Sequence, residues 1–304
     1  MTTLTIGVLS RNNENHLSQL LESIRQQTCK EFDLVILDNG SDDSTSEIIE
    51  AFELPELPVI KLFNSQDTSE ANGMKILFEK SKGLFISVIH GDDLLKPNYV
   101  HDVIAIVNQE LAFDAITFPI EHLFETHENK VIENTLVSRA NLTEYSVLNR
   151  FLVCGLNPGI MPGAVFDRRA IISADILSPI TGIRFNFDIV FWIRFSRRGL
   201  KLLRSNECNY IYRRHTNQSS SQGENSLNLA QARNFNYENA STRFEKFLVL
   251  SSTLKESTLL ENSDIYLKTL KHSYLEMSRP KLYIGTIINL LLRQCAKFFN
   301  AILN

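Results

Sequence analysis

The chain has 304 residues, 43% hydrophobic and 22% charged, with a formal net charge of −4. That is ordinary globular composition, long enough for one large α/β domain plus an appendage, and the acidic balance argues against bulk nucleic-acid binding, which needs a basic surface. Cys29, Cys154, Cys208 and Cys295 are scattered without a Cys-x-x-Cys pair, which speaks against a zinc site or redox motif and for buried free thiols in a reducing compartment. The opening MTTLTIGVLSRNN has no basic segment followed by a long apolar run, so no signal peptide is expected. No uncharged stretch reaches the ~20 residues of a spanning helix. The expected location is the cytoplasm.

LTIGVL at 4–9 reads as a buried strand that enters the polar loop Ser10-Arg11-Asn12-Asn13. Leu17, Leu20, Leu21 and Ile24 follow at helical spacing. FDLVILD at 32–38 is a second buried strand, turned by Asn39-Gly40, and Ser41 is expected to cap a helix carrying Ile48, Ile49 and Phe52. VIKLF at 59–63 is a third strand. A helix over 70–82 precedes Gly83, and LFISVI at 84–89 is a fourth strand that delivers His90-Gly91-Asp92-Asp93 at its end. Strands that are apolar on both faces and alternate with helices predict a mostly parallel, helix-covered sheet. Ligands bind such sheets beyond the C-terminal strand ends, where the loops at 10–13, 38–43 and 90–93 should gather.

Pro97 opens a further helix, and a strand is expected at 114–118; the stretch 120–160 has no clear pattern. A helix over about 186–198 carries Ile189, Val190, Trp192, Ile193 and Phe195, and a strand near 208–213 runs into Arg213-Arg214-His215. The polar run at 216–226 reads as a loop. Residues 225–304 carry ten Lys and Arg against six Asp and Glu, and the 26 residues from Arg279 hold four basic groups and no acidic one. This asymmetry separates a catalytic body, 1–224, from a helical C-terminal extension, 225–304. The basic, apolar stretch from Lys281 can lie in a membrane interface on the inner face of the cell, pack on the body, or meet a second copy in an oligomer.

TIGVLSRNN, then QQTCKEFDLVILDNGSDDST, then GLFISVIHGDDLLKP together resemble the opening of a family 2 glycosyltransferase of the GT-A fold, over roughly residues 3–220. The resemblance implies an α/β fold with a Rossmann-like, mostly parallel sheet, and a nucleotide-sugar donor, UDP-linked by preference. It also implies inversion at the anomeric carbon and a glycan or lipid-linked acceptor of bacterial surface-polysaccharide assembly.

Adjacent carboxylates at a strand end, Asp92 and Asp93, can hold Mn²⁺ or Mg²⁺ through oxygen, or cap the helix after Pro97. The family usually shows Asp-x-Asp-Asp here, and His90 stands in place of the first Asp. The resemblance makes Asp38 an acceptor for the uracil imide, with Ser10 and Asn12 as further base contacts and Asn72 near the place of another nucleotide contact. Arg213 and His215 match a Tyr-Arg-x-His element, which implies a diphosphate contact and a metal ligand. Asp188, ahead of the amphipathic helix, matches the family's general base; its plain alternative is a helix cap. Two other classes stay open on these residues: a silent nucleotide-sugar-binding protein and a nucleotidyltransferase, although no Gly-rich phosphate loop supports the latter.

Overall fold

The computed structural model describes residues 2–66, 68–109, 112–125, 130–134, 143–145, 161–179, 187–205, 210–216 and 218. The chain divides into two compact units. One comprises 1–145, 159–179 and 200–216; the other comprises 146–158, 180–199 and 217–304. The expected C-terminal extension, the loop at 216–226 beyond Thr216 apart from Gln218, and Cys154, Cys208 and Cys295 lie outside the described residues.

The first unit is built on an eight-stranded sheet. Its first four strands are β1 (Leu4–Ser10), β2 (Phe32–Asp38), β3 (Val59–Phe63) and β4 (Phe85–His90). They pair in parallel in the spatial order β3-β2-β1-β4. All seven residues of both β1 and β2 are buried, as a parallel strand covered by helices on both faces requires. β3 is only partly buried. It is the sheet edge, and Lys61 in its middle, whose Nζ donates to Glu50 O at 2.8 Å, discourages edge-to-edge pairing.

Helices α1 (Leu17–Arg25), α2 (Thr45–Ala51), α3 (Glu70–Lys80) and α4 (Tyr99–Val107) cover this half. α1 buries Leu17, Leu20, Leu21 and Ile24, the i, i+3, i+4, i+7 stripe visible in the sequence. Each such side chain contributes on the order of 1.5–3 kcal/mol relative to exposure. α3 approaches β1 closely because residue 73 is glycine: a Cβ there would lie 2.5 Å from Leu9 Cδ1.

Beyond β4 the sheet continues as β10, β6, β11 and β9, which are Val165–Asp167, Ala115–Thr117, Leu202–Arg204 and Thr143–Tyr145. β10 and β9 run antiparallel to their neighbours, so the sheet is mostly, not wholly, parallel. A second sheet, in the order β5-β12-β7-β8, joins Leu94–Leu95, Tyr210–Arg214, Ile120–Glu125 and Lys130–Asn134. Among its described residues, the stretch without a clear sequence pattern contains three short strands. A short helix, α5 (Arg168–Ser173), is capped by Asp167, whose carboxylate accepts from Ala170 N at 2.9 Å.

In the second unit the described helix α6 runs Phe187–Arg197. It buries Phe187, Val190, Phe191, Trp192, Ile193 and Phe195, with Trp192 edge-on to both Phe191 and Phe195. Among the described residues no helix is long and apolar enough to cross a membrane.

Candidate active site

The strand register assembles the site. Ser10 lies beside Asp38, and Leu9 beside His90, so the loops after β1, β2 and β4 emerge side by side. Gly91 lets two of them touch, because a Cβ there would run into Ser10 Oγ and Asn13 Nδ2. Ser10 is buried, and its hydroxyl has no hydrogen-bond partner among the described residues.

The first two loops are stitched together. Asn12, at φ 53°, donates its main-chain N–H to Ser41 Oγ at 2.9 Å, and its side-chain oxygen accepts from Asp42 N at 2.9 Å. Glu14 N donates to Asp43 Oδ2 at 3.1 Å, and Asp43 Oδ1 accepts from Thr45 N at 3.0 Å. The expected capping by Ser41 is corrected: α2 starts only at Thr45, after Ser44. Ser41 instead folds back on Asp38, donating to Oδ1 from its N–H at 3.1 Å and its hydroxyl at 2.6 Å. Asp38 Oδ2 accepts from Ser46 Oγ, and the residue is 2% exposed. A carboxylate offers about four lone-pair sites, and these three donors occupy most of them. Asp38 is first of all the organiser of its loop.

A residue missed in the sequence stands next to it. Asn39, also buried, accepts at Oδ1 from Asn64 Nδ2 at 2.8 Å and Thr68 Oγ1 at 2.7 Å. Asn72 reaches the same cluster, donating from Nδ2 to Thr68 O at 2.7 Å. These side chains form a polar wall along the β2 and β3 ends. Asn39 carried a turn signal in the sequence, which hid its side-chain role.

The turn after β4 is the centre of charge. His90, Asp92 and Asp93 each offer a ligand atom, and these atoms lie within 4.8 Å of one another. The two carboxylates are not equivalent. Asp93 is fully buried; Tyr210 Oη donates to its Oδ2, and Arg213 N donates to Oδ1 at 2.9 Å. Burial, then the charge of Asp92, pushes its carboxyl well above the ordinary carboxylate range. Asp92 is partly open, and its Oδ2 lies 3.1 Å from His215 Nε2. Burial alone would raise the Asp92 carboxyl, but the hydrogen bond from His215 and the nearby His90 outweigh it and hold it below the usual value. His90 is held below the usual imidazole range by burial, against the pull of Asp92. A neutral imidazole is the form that can offer a lone pair.

Arg213, expected at the diphosphate, is enclosed by the protein. Its side chain is fully buried. Nε donates to the Asp92 carbonyl at 2.6 Å, Nη2 to Gln19 Oε1 at 2.8 Å, and Nη1 to Glu125 Oε1. The guanidinium grips the protein itself. Glu125 also lies against His16, with Nε2–Oε2 3.7 Å, and the His16 ring packs edge-on to His215 at 4.6 Å between centroids. His16, Gln19, Tyr210 and Glu125 were not singled out in the sequence, because their partners are distant in the chain. Asp188 lies in the first turn of α6, partly exposed.

A polar edge on a mostly parallel sheet, with carboxylates and imidazoles gathered where the fourth strand ends, fits the class of enzymes with the GT-A fold. The family model described as Glycosyl transferase family 2 matches residues 5–172, more than half of the chain, and the chain belongs to that family. The glycosyltransferase GlyG of Streptococcus pneumoniae serotype 4 is 26% identical over 97 residues, 32% of this chain and 32% of that protein. The minor teichoic acid biosynthesis protein GgaA of Bacillus subtilis is 23% identical over 220 residues, 69% of this chain and 46% of that protein. The chain thus spans less than half the length of these curated relatives. Among solved structures, S. aureus TarS 1–349 in complex with UDP-GlcNAc superposes with a TM-score of 0.66 at 13% identity, over 94% of this chain and 88% of that one. A mannosyltransferase from Pyrobaculum calidifontis, in complex with GDP-Man and Mn²⁺, gives 0.58 at 12% identity, over 99% and 83%.

Proposed function

We propose that this chain is an inverting glycosyltransferase that moves a sugar from a nucleotide-diphosphate donor, UDP-linked by preference, to a carbohydrate or lipid-linked glycan acceptor in surface-polysaccharide synthesis. The observation that carries the proposal is Asp92: a partly open carboxylate, kept ionised and flanked by His215 and His90 on the edge where the nucleotide-facing loops gather. The name of GgaA and the UDP-GlcNAc bound to TarS favour the donor and acceptor class.

The donor set fits a divalent ion. Carboxylates joined by an imidazole suit Mn²⁺ better than Mg²⁺, which prefers oxygen alone. Asp92 and Asp93 would hold it with His90, whose ligand atoms lie within 4.8 Å of theirs, and His215, beside Asp92, is a further candidate ligand. When bound, the ion supplies positive charge beside the departing nucleoside diphosphate. Ser10 and Asn12 border the nucleotide on one side, and Asn39 and Asn72 on the other. Asp38 holds its loop in place and retains capacity to accept an imide N–H. Asp188 accepts the proton of the acceptor hydroxyl as that oxygen attacks the anomeric carbon, and alignment of the two reactants supplies much of the acceleration.

A panel of nucleotide sugars with Mn²⁺, read by thermal unfolding, tests this directly. A ligand at a hundredfold its Kd stabilises the native state by about 2.7 kcal/mol. A shift with UDP-sugars that disappears on chelation supports the reading, and a shift with none of the panel contradicts it.

A further inference from the structure

Five contacts close a circuit through Asp92. Its carboxylate meets His215, the His215 ring packs on His16, His16 meets Glu125, Glu125 pairs with Arg213, and Arg213 Nε returns to the Asp92 carbonyl. The circuit draws on four separate parts of the chain: the end of the loop before α1, β7, β12 with the residue after it, and the turn after β4. Gln19 on α1 adds a third acceptor to the guanidinium. Arg213 also grips the neighbouring residue, since its main-chain N–H donates to Asp93.

We infer that Arg213, anchored by Glu125 and Gln19, is a positioning residue that fixes the Asp92–Asp93 turn in the shape that binds the divalent ion, and that it does not itself bind the diphosphate. The inference rests on the reading of Asp92 as an ion ligand. Its physical basis is the burial of the guanidinium. A fully buried cation must be paired and hydrogen-bonded inside the protein, and Nε, Nη1 and Nη2 each have an internal acceptor. Those acceptors lie in different directions, matching the planar fork of arginine; lysine is a point donor on a flexible stem and cannot span them. A guanidinium held this way turns all three of its nitrogens to acceptors inside the protein, and it sets where the Asp92 carbonyl stands. The circuit then ties that carbonyl to the His215 ring, so carboxylate and imidazole move as one body.

The test is a Mn²⁺ titration of UDP binding, followed by calorimetry, on the full chain and on Gln19→Ala, Glu125→Ala and Arg213→Lys, with UDP affinity in EDTA and thermal unfolding measured alongside. Partners behind a metal ligand typically change metal affinity by about 10–100-fold. Glu125→Ala is expected to weaken apparent Mn²⁺ affinity within that range and Gln19→Ala less, with UDP affinity in EDTA unchanged within about twofold. Because Glu125→Ala leaves a buried cation short of its counter-charge and can fail to fold, Gln19→Ala, which removes one neutral acceptor, keeps the test alive. Wild-type Mn²⁺ affinity in folded Gln19→Ala and Glu125→Ala overturns the inference. So does a loss of UDP affinity in EDTA confined to Arg213→Lys, which would make Arg213 a direct diphosphate ligand. If UDP binding by the wild type is indifferent to Mn²⁺, the reading of Asp92 falls, and the inference with it; that result is visible before any variant is measured.

Discussion

Asp92 Oδ2 and His215 Nε2 lie 3.1 Å apart although 123 positions separate them in sequence. One ends a loop of the large sheet and the other follows the last described strand of the small one, so their meeting is a product of the fold. Asp92→Ala is expected to abolish Mn²⁺-dependent UDP binding while the circular dichroism spectrum stays native. Calorimetry with and without EDTA decides it. Unchanged affinity and unchanged metal dependence would remove Asp92 from the site.

The buried side of the turn makes a stability prediction. Gly163 sits at φ 78° with the Tyr210 ring directly over it; a Cβ there would come 2.5 Å from Cδ2. Gly163→Ala should destabilise by about 1–3 kcal/mol through overpacking, with a further contribution from the left-handed backbone. Tyr210→Phe should cost about 1–3 kcal/mol by leaving an Asp93 oxygen without its donor. Denaturant unfolding measures both, and a change below about 0.5 kcal/mol in either variant would contradict this packing.

Tyr99 gives a pH dependence. Its hydroxyl donates to Gly163 O at 2.9 Å, so the 2.5 Å contact with Ser87 Oγ must have serine as donor. Burial pushes the phenol well above its ordinary range. A group whose pKa is raised on folding contributes stability that is present below the unfolded value and is lost as pH climbs towards the folded one. The unfolded value is about 10. Tyr99→Phe should therefore be less stable than wild type at neutral pH, with the gap narrowing above about pH 10. A gap that stays constant from neutral to alkaline pH would place the tyrosine outside this network.

Much of this was legible in the sequence, for identifiable reasons. β1 and β2 announce themselves because strands buried on both faces are continuous apolar runs, and the α1 stripe because helical spacing is local. The His90-Gly91-Asp92-Asp93 turn and the Arg213/His215 pair follow from motif and position at a strand end. What could not be read were the roles that depend on distant partners. Arg213 reads as a ligand-binding cation, and its internal partners Glu125, 88 positions away, and Gln19, 194 away, are invisible to sequence spacing. Glu125 closes a short strand without a clean period. Ser41 looked like a cap because capping chemistry and the loop bond to Asp38 use the same hydroxyl.

Asp188→Asn separates catalysis from binding. Loss of a proton-accepting group typically costs about 10²–10⁴ in rate, so sugar transfer should fall by that factor while UDP affinity holds. Near-normal transfer by the variant would leave Asp188 as a first-turn carboxylate beside the α6 N-terminus and require another base.

The most direct test of the central claim is the release of UDP from UDP-sugars by the purified chain, measured with Mn²⁺ and a glycan acceptor and again with EDTA. The expected result is acceptor-stimulated UDP release from at least one UDP-sugar, abolished by EDTA and by Asp92→Ala. UDP-sugar binding without turnover under any acceptor would mark a silent binding protein, and pyrophosphate release from a nucleoside triphosphate would mark a nucleotidyltransferase; either contradicts the account.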